Sequence, residues 1–135
     1  MKKLFSTRYT ETAASFSFLL LRLAAGGLMI PHGFEKLIHF EKNVTSFPDP
    51  LHLGGTLSLS MVIFAEFFCA ILLVAGLMTR LALIPLLITM AVAVFMVHHG
   101  QVVGEAEHAA LYLAAFMALL LTGPGKFSFD RMLGN

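Results

Sequence analysis

The chain has 135 residues and a net charge of +1, with 58% of its residues hydrophobic and only 13% charged. A soluble domain needs roughly a quarter of its residues charged to cover its core, so this composition excludes an ordinary globular fold and makes the lipid bilayer the expected surroundings. The length allows one domain, residues 1–135, with no separate catalytic module, and the near-neutral charge gives no reason to expect nucleic acid as a partner.

Lys2, Lys3 and Arg8 precede an apolar run, which is also the form of a cleaved signal peptide. The run from Ala13 to Ile30 is long, contains Arg22 and is followed by no small-residue cleavage site. It is read as a first spanning helix at about residues 14–37. The stretch from Asn43 to Thr56, with Pro48, Pro50, Gly54 and Gly55, reads as an irregular loop. A second helix follows at about residues 57–76; Gly76 suits its left-handed end, and Thr79 suits the N-cap of the next. The third helix covers about residues 81–97, and Gly100 and Gly104 separate it from a fourth at about residues 107–122, which Gly123-Pro124-Gly125 stops. These segments approach the ~20 residues that cross a hydrocarbon core, and in lipid their backbone groups must pair internally. The expected fold is all-α: an integral membrane four-helix bundle with up-down topology. Lys2, Lys3, Arg8, Arg80, Lys126 and Arg131 fall on one side, against Lys36 and Lys42 with Glu35, Glu41, Asp49, Glu105 and Glu107 on the other. Both termini are therefore expected to be cytoplasmic.

Arg22 and Glu66 are the charges placed deepest in the apolar runs. Counted from the helix ends, Arg22 lies about 12 Å and Glu66 about 16 Å from the inner surface. A lone charge at mid-bilayer costs ~2.5–3.5 kcal/mol on insertion scales, so the two are expected to pair. Such a pair either fixes helix packing or forms a polar site for a head group or a proton. Arg22, Gly26, Met29, Gly33 and Lys36 share one face of the first helix; the two glycines suit close helix approach or room for a ligand. Pro31 cannot bond back to Gly27 and is expected to kink this helix.

His32, His39, His52, His98, His99 and His108 all fall toward the outer side, His108 beside Glu105 and Glu107. They could ligate a metal, donate to a carbonyl or relay protons; the simpler reading is solvated interfacial histidines. His32 stands out for its Pro-His-Gly setting, although it lies about 80° around the helix from the Arg22 face. No helical zinc-hydrolase spacing occurs, and no metal ligands are assigned. Ala110, Ala114 and Ala118 form a small-residue ridge expected to pack against another helix. Cys69 is single, which rules out a disulfide or CxxC pair within the chain, and reads as a core residue.

Arg22-Leu23 with Gly26, then Pro31-His32-Gly33-Phe34-Glu35-Lys36-Leu37, resembles the first helix of the DoxX family of small bacterial membrane proteins. Glu66 with Ala75-Gly76-Leu77-Met78-Thr79-Arg80 is similar to that family's second helix and turn, and Glu107 with Gly123-Pro124-Gly125-Lys126-Phe127-Ser128-Phe129-Asp130 to its C-terminal signature. The resemblance implies a multi-pass protein of the inner (cytoplasmic) membrane, linked to quinone, thiol or sulfur redox chemistry. It would act as a subunit of a quinone-linked oxidoreductase rather than as an independent enzyme. On this reading Arg22, Glu66 and His32 carry the chemistry, and Arg22, Gly26, Gly33, Lys36 and Glu66 hold a quinone between the first two helices. The chain has no cofactor motif of its own, so electrons would come from a soluble or membrane-bound redox enzyme. Two alternatives stand beside this: a non-catalytic partner or assembly factor for such an enzyme, and a small-molecule or proton conduit, for which a homo-oligomer would supply the pore.

Overall fold

The computed structural model describes residues 3–101, 103–104 and 106–134. Lys2 and Glu105, which entered the charge pattern above, lie outside the described residues. Among the described residues every regular element is helical: α1 (Glu11–Ile38), α2 (Phe40–Val44), α3 (Gly55–Ala75), α4 (Thr79–Val97), α5 (Glu107–Thr122) and α6 (Phe129–Met132). Three of these, α1, α3 and α4, are long and apolar enough to cross a membrane. At 16 residues, α5 is apolar but shorter, about 24 Å long.

Local chemistry sets the helix ends. Thr10 caps α1 by accepting the Ala13 N–H at 3.1 Å, and Glu11 stands in the first turn. The helix then runs unbroken through Pro31 to Ile38. Gly76, at φ 72°, closes α3, and Leu77 N–H donates back to the Leu72 carbonyl at 2.9 Å, the bond pattern of a Schellman end. Thr79 does not cap α4. It is the first residue of that helix, and the Asp130 carboxylate does the capping from the far end of the chain: it accepts Met78 N–H at 2.7 Å and Thr79 N–H at 2.9 Å. A carboxylate satisfies both donors and complements the positive helix end better than a hydroxyl.

Two π-helical turns interrupt the long helices, Phe64–Cys69 in α3 and Ala93–Val97 in α4. Within the first, Ala65, Glu66 and Cys69 are all buried. The core runs along the bundle from Ala25 and Met29 through Leu73, Leu83 and Leu86 to Phe116 and Leu119. Leu20, Leu28, Ile84, Leu111 and Leu121 point outward, as expected of faces solvated by lipid. Lipid gives apolar side chains little reason to prefer another helix, so close backbone approach and polar ties must hold the bundle.

Both devices are present. A Cβ on Gly33 would lie 2.6 Å from the Phe67 backbone nitrogen, and one on Gly26 would lie 2.8 Å from Val74 Cγ2. The glycine face of α1 is therefore filled by α3 and leaves no ligand space between them. The expected alanine ridge of α5 does not serve as its packing face: Ala114 and Ala118 are exposed, whereas Phe116 and Leu119 are fully buried and Tyr112 packs beside them. Larger side chains fill the space against α1 and α4 that an alanine ridge would leave empty.

Candidate functional site

Arg22 and Glu66 do not pair. The contacts at Gly33 with Glu66–Phe67 and at Gly26 with Ala70–Val74 show that α1 and α3 run antiparallel in a fixed register. Gly33 stands level with Glu66, so Arg22, eleven residues earlier, lies about 16 Å away along the bundle. Equal depth would require flush helix ends, and α1 overhangs the end of α3. Side chains also tilt toward the start of their own helix. On antiparallel neighbours this turns Arg22 and Glu66 apart, while Lys36 and Glu66 lean toward each other.

Arg22 is 1% exposed and bonds only to backbone. Its Nε donates to the Leu73 carbonyl at 3.0 Å and its Nη2 to Val74 at 3.0 Å. Its Nη1 donates to Pro124 at 2.8 Å and to Phe127 at 2.9 Å. The first two carbonyls belong to the last turn of α3, where intrahelical donors run short; Leu73 also accepts the Gly76 N–H at 3.0 Å. The other two lie in the segment after α5, so one guanidinium ties α1, α3 and the C-terminal segment together. Asp130 completes the tie. Desolvation pushes its carboxyl up, but the Thr79 and Met78 hydrogen bonds and the Arg22 charge outweigh this and hold it below the usual carboxylate value.

At the other end, Lys36 Nζ donates to Glu66 Oε2 at 2.6 Å, with Lys36 partly exposed and Glu66 buried. This pair forms part of the wall of a cavity of about 240 Å³ between α3, α4 and the loop that follows α2. Ser58 and Thr89 are its other polar side chains; Phe47, Leu53, Met61 and Ile88 represent its apolar wall. Both π-helical turns border it, through Glu66 in α3 and through Ala93 and Val97 in α4. Such turns are frequent at functional sites. Asp49 pins the covering loop, accepting Leu53 N–H at 2.9 Å, Gly54 N–H at 2.8 Å and the Ser58 hydroxyl at 2.7 Å. The Ser58 hydroxyl is the main reason its carboxyl sits low; slight desolvation opposes this, and the Gly54 and Leu53 N–H groups and nearby His52 add to it.

His32 is exposed and faces neither Arg22 nor Lys36; its ring meets Tyr112 of α5 edge-on, with centroids 6.5 Å apart. Tyr112 in turn stacks on Phe116, with ring centroids 5.8 Å apart. Tyr112 and the Lys36–Glu66 pair are the site features not singled out from sequence. The spacing of His108, Tyr112 and Phe116, four residues apart on one helix face, is the signal that points to Tyr112. Among the described residues, no three His, Cys, Asp or Glu side chains gather as a metal-binding group.

Long apolar helices with charges tied inside them and an ion pair at an apolar cavity define a small multi-pass membrane protein. A family model described as DoxX matches residues 17–99. The chain is also 32% identical over 138 aligned residues to the inner membrane protein YphA of Escherichia coli (strain K12), covering 92% of this chain and 96% of that protein. No solved structure matches it. The chain therefore belongs to the DoxX family and is a multi-pass protein of the inner membrane.

Proposed function

We propose that the chain is a membrane subunit of a redox system, and that its cavity beside Lys36 and Glu66 takes the single-ring head group of a quinone. The observation that carries this reading is an ion pair set into the wall of an otherwise apolar cavity. Pockets for apolar ligands have this form, with a few polar groups fixing orientation. A quinone supplies two-electron, two-proton redox chemistry when bound. Lys36 offers an ammonium donor suited to a carbonyl oxygen and to charge developing there, and the Glu66 carboxylate can hold or release a proton. Cys69, single and buried, gives no internal dithiol, so electrons come from a partner redox enzyme. In this reading α5 crosses with the help of its flanks, completing an up-down four-helix bundle. Lys3, Arg8, Arg80, Lys126 and Arg131 support cytoplasmic termini.

The direct contact between Lys36 and Glu66 favours one further reading, in which the pair is architectural and the protein is a non-catalytic partner or assembly factor. One experiment separates the two. The protein is purified in mild detergent, and co-purifying small molecules are extracted for absorbance and mass spectrometry. Glu66→Gln and Lys36→Gln variants that elute monodisperse are run beside it. Stoichiometric quinone in the wild type, lost from both variants, is the expected result. A wild-type protein that carries lipid alone would overturn the quinone assignment in favour of the architectural pair.

A further inference from the structure

A second cleft, of about 270 Å³, lies at the opposite end of the bundle. Glu11, Ser15 and Phe18 from the first two turns of α1 form one side; Gly125, Lys126 and Arg131 from the C-terminal segment form the other. Two features build its walls. Gly125, at φ 82°, lets the chain pass beside α1, since a Cβ there would sit 3.3 Å from both the Phe18 ring and the Ser15 carbonyl. Arg22 then holds that segment through the Pro124 and Phe127 carbonyls.

The rim carries two cations and one anion. Lys126 Nζ meets Glu11 Oε2 at 2.9 Å, with the two side chains 41% and 79% exposed. A bridge that exposed is weak and readily exchanged. Ser15, 4% exposed, and the Phe18 ring lie deeper. Because α1 crosses the membrane, a cleft at its first two turns sits where hydrocarbon meets water. A ligand matching it needs a phosphate-type anion for the basic rim and an apolar chain for the Phe18 side. The geometry points to an anionic phospholipid whose phosphate sits between Lys126 and Arg131, with Glu11 as its competitor for Lys126. This assignment is independent of the quinone reading at the other end.

Native mass spectrometry of the whole protein in dodecyl maltoside, with equimolar phosphatidylglycerol and phosphatidylcholine, tests it. The wild type should retain phosphatidylglycerol preferentially, and Lys126→Gln and Arg131→Gln should each lower that preference roughly fivefold, the scale of one basic side chain at an anionic surface. Glu11→Gln should raise the preference, while Arg8→Gln, which removes a cation outside the cleft, should leave it unchanged. Glu11→Gln decides the matter if the basic-residue variants fail to elute monodisperse. Equal retention of the two lipids by the wild type, or no gain in Glu11→Gln, would overturn the assignment. So would thermal stabilisation by inorganic phosphate equal to that by phosphatidylglycerol, since the apolar chain would then contribute nothing.

Discussion

Replacing Arg22 by lysine keeps the charge but removes the planar fork that reaches four carbonyls. An ammonium presents its three donors from one atom, so it cannot serve both the last turn of α3 and the Pro124–Phe127 segment. At least two of the four acceptors of Arg22 would lose their donor. Hydrogen bonds to a charged group contribute about 1.5–3 kcal/mol each, which puts the loss at about 3–6 kcal/mol before relaxation. Arg22 is 1% exposed, so solvent does little to soften it. A loss of ~3 kcal/mol in a chain of this length lowers Tm by about 10 °C. The protein carries its own reporter: Cys69, the sole cysteine, is 2% exposed, so a thiol-reactive fluorogenic maleimide reads unfolding directly. A Tm for Arg22→Lys within about 2 °C of wild type would refute the argument that the fork, rather than the charge, holds this end together.

Gly33→Ala should lower Tm in the same assay by more than Gly26→Ala. At Gly33 the new methyl meets Phe67 and Glu66 backbone at 2.6 and 2.7 Å, whereas at Gly26 its closest contact is the movable Val74 side chain. Overpacking of this kind costs ~1–3 kcal/mol, and the reverse order would show that the α1–α3 register is wrong. Asp130→Asn keeps one acceptor oxygen but loses the other and the negative charge, so it should cost about 1 kcal/mol at neutral pH and should also remove a pH dependence. The folded Asp130 carboxyl lies below its ordinary value of 3.8, so its contribution is fully present above that value and is lost as pH falls through the lower folded one. The Tm difference between wild type and Asp130→Asn should therefore shrink below about pH 4, and a constant difference down to pH 2.5 would contradict the ionised cap.

The long helices were legible because each is an apolar run bounded by Gly, Pro or charge. The α1 run was expected at 14–37 and observed at Glu11–Ile38; α5 was expected at 107–122 and observed at Glu107–Thr122. Gly76 announced its left-handed end in the same way. What one sequence lacks is the register between helices. Depth counted from helix ends brought Arg22 beside Glu66, whereas the glycine contacts slide α1 past the end of α3. The true partners of Arg22 are backbone carbonyls, which every residue has and which therefore leave no mark in the sequence. Asp130 hides similarly: it caps a helix that begins 51 residues earlier. The π-helical turns bordering the cavity carry no residue signature, and the Lys36–Glu66 contact follows from a register that the sequence does not state.

Chemically, the two charged centres invite opposite roles. Four of the five N–H donors of Arg22 go to backbone carbonyls, in a space so tight that a Cβ on Gly76 would stand 2.8 Å from its Nη2, so a ligand has little room there. Lys36 and Glu66 each have the other as partner, and beside them lies a cavity into which either can turn. A buried ion pair is weak evidence for stability, because desolvation offsets much of its attraction, yet removing one member strands the other. That asymmetry is why the glutamine variants must be shown to fold before a lost ligand is read as a lost site. It also moves the functional weight from Arg22, where residue type and depth alone had placed much of it, to the pair formed by Lys36 and Glu66.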